Sequence, residues 1–144
     1  MVNVVGYTLH NILVDTGSLL DILFIKPFEI MRIDRQIVEP AGFDGKKIEA
    51  IGKKMVLVSF IEGERVRTKM ITFNIVNRDY PYTTIFGRGL TNKFEVTIKQ
   101  SYLCMKMPSP FDIITMHGDQ IAAKRIEAKA TPSYSLINKV TKQP

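Results

Sequence analysis

The chain has 144 residues, of which 45% are hydrophobic, 24% charged and 9% aromatic, and its formal net charge is +6. This composition is typical of a globular domain, and the length suffices for one domain with a small extension. No apolar run reaches the roughly 20 residues that a membrane-spanning helix needs, and no secretory signal is expected. These features exclude a membrane-spanning protein and predict an intracellular, cytoplasmic one.

Cysteine and histidine are too scarce for the common metal sites. Cys104 is the single cysteine, so an internal disulfide and a multi-cysteine zinc site are excluded. His10 and His117 are far apart in the sequence, which disfavours a histidine cluster. We therefore expect no metal and no other cofactor.

The basic residues are spread along the chain. They occur as pairs such as Lys46-Lys47, Lys53-Lys54 and Lys124-Arg125, with acidic residues between them. A nucleic-acid-binding protein usually concentrates its positive charge on one face or one helix. The pattern favours a solvated basic surface, so we expect no nucleic acid as a partner of this domain.

The first third of the chain predicts short strands and one helix. Residues 2–6 and 8–14 are rich in β-branched and apolar side chains, and Gly6-Tyr7 predicts a tight connection between them. Residues 22–25 form another apolar run. A short helix is predicted over 27–35, with a proline in its first turn.

The middle of the chain predicts a long hairpin. Residues 54–61 alternate in polarity, a turn is expected at 62–64, and 65–76 continues the alternation. Further strands are predicted to end at Gly87 and to cover 95–99 and 102–107, with a helical turn over 89–94. Four methionines on these strands are expected to fill the core: Met55, Met70, Met105 and Met107.

Many short strands with frequent turns predict an all-β fold, an antiparallel barrel or sandwich with one or two short helices. The compact unit is expected to cover residues 1–110. A C-terminal extension, 111–144, is predicted to contain a strand near 113–116 and a helix over 120–130 before a flexible tail.

An apolar stretch near the start of the chain ends in Asp-Thr-Gly-Ser. Residues 12–14 precede Asp15, and the apolar run 22–25 follows. An Asp at the end of a buried strand is costly unless its carboxylate is hydrogen-bonded or paired. Thr16 offers a hydroxyl that can support the loop, and Gly17 lets another backbone approach closely. The pattern predicts a functional carboxylate, while a loop carboxylate that caps a turn stays the alternative.

A second pattern, Thr84-Ile85-Phe86-Gly87-Arg88, follows later in the chain. In this order the two patterns resemble the retropepsin-like aspartic proteases, most closely the protease segment of plant gypsy-type LTR-retrotransposon polyproteins. The resemblance extends over about residues 4–130. It includes Tyr80-Pro81-Tyr82, the segment 102–108 and Gly118-Asp119-Gln120.

The resemblance implies a small closed antiparallel barrel of the retropepsin-like type. It also implies an aspartic endopeptidase that hydrolyses peptide bonds of a retroelement polyprotein. Such an enzyme acts as a homodimer about a twofold axis, and each subunit supplies one Asp, here Asp15. It also implies that Thr16 braces the two Asp loops, that Gly17 lines the peptide groove with its backbone, and that Ser18 hydrogen-bonds near the Asp15 carboxylate.

Two further segments receive roles from the same resemblance. A glycine-tipped flap that closes over the peptide corresponds to Gly42, Phe43, Asp44 and Gly45. The residues that pack beneath the active-site loop are Ile85, Phe86 and Gly87, with Arg88 in a structural role.

Departures from the family pattern keep a second hypothesis open. The segment before the first strand is short, the flap is shorter than in relatives, and Leu19 and Leu20 stand where small or polar residues normally follow. These departures are typical of a catalytically inactive, decayed copy that binds peptides or proteins.

Overall fold

The structure is a computed structural model that describes residues 1–33, 50–99 and 104–118, together with the backbone strand at 138–140. The predicted flap, 42–45, lies outside the described residues. The division of the chain at residue 110 stays a prediction.

Eleven strands and two short helices are assigned in the described part of the chain. In chain order they are β1 (Val2–Val4), β2 (Tyr7–Thr8), β3 (Ile12–Val14), β4 (Ile22–Phe24), α1 (Ile25–Ile30), β5 (Ala50–Glu62), β6 (Arg65–Val76), β7 (Thr84–Phe86), α2 (Arg88–Lys93), β8 (Thr97–Lys99), β9 (Cys104–Pro108), β10 (Ile113–His117) and β11 (Asn138–Val140).

Eight strands form one sheet in the order β11-β3-β7-β4-β6-β5-β1-β2. A second sheet has three strands in the order β10-β9-β8. The larger sheet curls into a half-barrel. Within it, β3 pairs with β7 in parallel, and β4 pairs with β6 in parallel. The centre of the sheet therefore brings together strands that are distant in the sequence.

Strand β3 is buried on both faces of the sheet. Ile12 and Val14 belong to the main core cluster, whereas Leu13 packs on the opposite face with Phe24 and Ile85. Successive side chains of a strand point to opposite faces, so a strand covered on both sides is an uninterrupted apolar run. Asp15 follows directly after this strand, so it is attached to a segment packed on both faces.

The longest strands, β5 and β6, form one antiparallel hairpin. Its register pairs Glu62 with Arg65, which leaves a two-residue loop. Gly63 begins this loop with a φ of +60°, a conformation that glycine adopts without steric cost. The alternation along β5 is the predicted one, because Val56, Val58 and Phe60 are buried on the inner face.

Arg67 attaches the small sheet to this hairpin. Its guanidinium donates hydrogen bonds to the carbonyl oxygens of Phe94 at 2.5 Å and Pro108 at 3.1 Å, and it pairs with Glu95 at 2.9 Å. The small sheet also contributes to the core, since Ile114 is fully buried there.

The all-β prediction is confirmed. The predicted antiparallel pairing is only partly correct, because β3–β7 and β4–β6 are parallel. Polarity patterns predict where strands lie but not which strands pair. Helix α1 begins at Ile25, two residues before the predicted start, and α2 begins at Arg88, one residue before it. The prediction of four core methionines is half wrong: Met55 and Met70 are 54% and 41% exposed, because both lie on the outer face of the hairpin.

Candidate active site

The Asp-Thr-Gly-Ser segment forms a tight loop at the end of β3. The Asp15 carboxylate accepts a hydrogen bond from the Gly17 N–H at 2.9 Å, and the Asp15 carbonyl accepts one from the Ser18 N–H at 3.1 Å. The Ser18 hydroxyl donates to the Leu20 carbonyl at 2.7 Å. The bond from Gly17 orients the Asp15 carboxylate. Because Asp15 is only half-buried, the residue remains accessible to solvent.

The end of β7 and the start of α2 support this loop from below. The Asp15 N–H donates to the Phe86 carbonyl at 2.9 Å. Arg88 then makes two contacts, donating from its backbone N–H to the Ser18 carbonyl at 2.9 Å and from Nε to the Thr16 carbonyl at 3.0 Å. The structure thus brings the two sequence motifs into direct contact.

Gly87 permits this close approach. A Cβ at position 87 would lie 2.7 Å from the Ser18 carbonyl oxygen and closer still to that of Leu20. Both obstacles are backbone atoms, which cannot move without displacing the loop. Only glycine fits here, between the loop and α2.

The predicted site residues divide between the surface and the core. Thr16 and Gly17 are exposed, and Ser18 is half-buried. Phe86 is fully buried in the main core cluster, whereas Ile85 is buried on the opposite face of the sheet. The predicted flap residues Gly42, Phe43, Asp44 and Gly45 lie outside the described residues, so their role stays a prediction.

Asp21 is a site residue that the sequence reasoning missed. Its side chain is 5% exposed, and its Oδ1 accepts a hydrogen bond from the Gly87 N–H at 2.7 Å. Burial raises the pKa of this carboxyl above its usual value, while hydrogen bonds from the Gly87 and Leu90 amides and the nearby Lys93 charge act in the opposite direction. A charged residue within the apolar run after the Asp15 loop was the available signal.

A cavity of about 300 Å³ lies beside Asp21. Leu19 and Leu20 line it next to the Asp15 loop, and Lys53 and Lys93 contribute its positive charge. Leu19 is 73% exposed, so an apolar side chain lies beside the loop at the surface.

Metal ligands do not converge in the described residues, where no three His, Cys, Asp or Glu side chains form a group that could hold an ion. The chemistry available is that of a fixed, half-buried carboxylate. In its ionised form such a group accepts a proton from water, as a general base.

Within residues 1–33, 50–99 and 104–118, no helix is long and apolar enough to cross a membrane.

Comparison with solved structures identifies the fold. The chain is similar to the retroviral protease-like domain of Ddi1 from Leishmania major, with a TM-score of 0.58 and 15% sequence identity. The match covers 80% of this chain and 90% of that domain. No protein-family model and no curated protein matches the chain. At this identity the similarity shows a retropepsin-like fold.

Proposed function

We propose that the chain is an aspartic endopeptidase that acts as a homodimer, with Asp15 as its catalytic residue. The observation that carries the proposal is the loop at the end of β3, which holds Asp15 half-buried through the Gly17 amide and rests on Phe86 and Arg88. The retropepsin-like fold supports the same conclusion.

The proposal assigns the second carboxylate to another chain. Asp21 is the acidic side chain nearest to Asp15 in the sequence, but it is buried and engaged with the Gly87 amide. A twofold axis next to the Asp15 loop supplies the missing group, because an isologous interface repeats each residue. The exposed Thr16 makes no side-chain hydrogen bond within the described residues and is available to brace the partner loop.

Two such carboxylates perform acid–base chemistry on a peptide bond. Carboxyl groups about 3 Å apart cannot both ionise, so they share one proton and titrate as a pair. The ionised group removes a proton from a water molecule, which attacks the scissile carbonyl. The protonated group donates its proton to the carbonyl oxygen and stabilises the tetrahedral intermediate.

The substrate class that we propose is a retroelement polyprotein. Its support is the resemblance to plant gypsy-type LTR-retrotransposon proteases, which includes the segment 102–108 and Gly118-Asp119-Gln120 beyond the two main motifs. The cytoplasmic location stays a prediction.

Peptide cleavage tests the proposal directly. Wild-type protein should cleave a mixture of unstructured peptides at mildly acidic pH, and pepstatin should inhibit it. Asp15→Asn should lower kcat/KM by about 10³-fold or more, since it removes the ionisable group. Asp79→Asn is the matched control, because Asp79 is exposed and pairs only with Lys26 among the described contacts. Equal cleavage by Asp15→Asn and wild type would refute this mechanism.

The exposed Leu19 favours a second candidate, a peptide-binding domain without catalysis. It places apolar surface next to the Asp15 loop, where a bound peptide would pass. Under this alternative, peptides bind equally well to wild type and Asp15→Asn and remain uncleaved. Fluorescence polarisation with labelled peptides separates the two candidates.

A further inference from the structure

Asp21 connects the active-site loop to the start of α2. It lies six residues after Asp15, immediately before β4, and its backbone is fixed by Asn74, whose N–H donates to the Asp21 carbonyl at 2.8 Å and whose Nδ2 donates at 3.3 Å. The side chain is thus anchored at its base in the middle of the sheet. From there the carboxylate faces α2.

The Asp21 carboxylate caps the first turn of α2. The first amides of a helix lack intrahelical acceptors, and no side chain within α2 caps them. Asp21 accepts from the Gly87 N–H at 2.7 Å and from the Leu90 amide. Gly89 allows this contact, because a Cβ there would lie 2.5 Å from Asp21 Oδ2.

The segment that Asp21 holds is the one that supports the Asp15 loop. Phe86 accepts the Asp15 N–H, and Arg88 holds the Ser18 and Thr16 carbonyls. Gly87 lies between these two residues, bonded to Asp21. A displacement of Gly87 therefore moves both supports of the loop together.

We propose that Asp21 is a positioning residue, whose carboxylate fixes Asp15 by clamping the Gly87–Leu90 turn beneath the loop. This inference rests on the proposed function for its catalytic consequence, whereas the clamp itself is a property of the folded chain. Asp21 is buried, and in this proposal it acts through Gly87 and Arg88.

Two backbone amides, those of Gly87 and Leu90, donate to the Asp21 carboxylate, so the side chain at position 21 has two donors to satisfy. An ionised carboxylate accepts at both oxygens, whereas an amide offers one acceptor and places an NH₂ group against a backbone donor. The charged groups beside the cavity are Lys53 on β5 and Lys93 on α2, and β6 contributes the neutral Thr72 and Asn74. Asp21→Asn thus keeps the size of the side chain and weakens the clamp.

Amide hydrogen exchange and peptide kinetics on the full chain test the inference. In Asp21→Asn, amides 16–18 and 87–90 should exchange about tenfold faster or more, while the β5–β6 hairpin is unchanged. The kcat should fall about tenfold with KM within about twofold, because the loop moves without losing a substrate contact. Asp79→Asn should change neither quantity.

A second variant covers the case in which Asp21→Asn fails to fold. Gly89→Ala leaves the carboxylate in place and pushes a methyl group against Oδ2, so it should accelerate exchange in the same two segments. Unchanged exchange of amides 16–18 in either folded variant overturns the clamp. Accelerated exchange in a protein whose wild type cleaves no peptide supports the clamp and rejects the proposed function.

Discussion

The backbone N–H of Asp15 donates a hydrogen bond to the carbonyl oxygen of Phe86 at 2.9 Å. This bond joins two segments that are 71 positions apart in the chain and extends the parallel pairing of β3 with β7 by one residue. It places the candidate catalytic residue at the end of a strand pair whose six residues are all buried. The geometry of Asp15 therefore depends on the packing of β7 and on the residues that follow it.

Gly87→Ala should destabilise the fold strongly. The added Cβ would lie 2.7 Å from the Ser18 carbonyl oxygen, so the loop must move, at a cost of about 3 kcal/mol in the free energy of unfolding. Gly6→Ala is the control, because it meets no atom within 4 Å and costs about 1 kcal/mol through its φ of +86°. Urea denaturation measures both, and equal losses would contradict the account of Gly87.

Arg88→Met should reduce activity more than stability. The variant loses the hydrogen bond from Nε to the Thr16 carbonyl, which is exposed and contributes about 1 kcal/mol or less. Because the loop is then no longer held at Thr16, kcat should fall about tenfold. Arg78→Met is the control, since Arg78 is exposed and only its backbone N–H bond to Val76 is described. The same kcat in both variants would show that Arg88 does not hold the loop.

The stability of the protein should depend on pH through Asp21. Burial raises the pKa of this carboxyl above 3.8 in the folded state, so the folded protein binds more protons than the unfolded chain above that pH. The free energy of unfolding of wild type should therefore fall relative to Asp21→Asn as the pH rises from 3.8 through the folded-state pKa.

Urea denaturation of both proteins across this pH range measures the effect. Asp112, whose pKa is lowered mainly by the Ile113 amide, contributes to the pH dependence of the free energy of unfolding below pH 3.8. It is present in both proteins. Its contribution therefore cancels in the difference. A difference between the two proteins that is constant with pH, or that favours wild type at higher pH, would contradict the assignment.

The local parts of this fold could be predicted from the sequence. Alternating polarity predicted the β5–β6 hairpin, and Gly63 marked its turn. The apolar run into Asp15 predicted a buried strand followed by a carboxylate. These features depend on neighbours in the chain, which is why the pattern of the residues contains them.

The long-range parts could not be predicted in the same way. The parallel pairing of β3 with β7 joins segments whose polarity patterns do not encode a partner, because both are simply apolar. Asp21 was overlooked because its partner, the Gly87 amide, is 66 residues away. Every residue except proline has a backbone N–H, so the sequence does not show which of them a side chain contacts.

Mixing wild type with Asp15→Asn tests the central claim, that two chains share one active site. The two proteins are combined at a fixed total concentration, allowed to exchange subunits, and assayed for peptide cleavage. Because only wild-type pairs hold two intact carboxylates, an equal mixture should retain about one quarter of the wild-type activity, with activity following the square of the wild-type fraction. A linear dependence, with about one half of the activity in the equal mixture, would contradict a site built from one Asp15 of each chain.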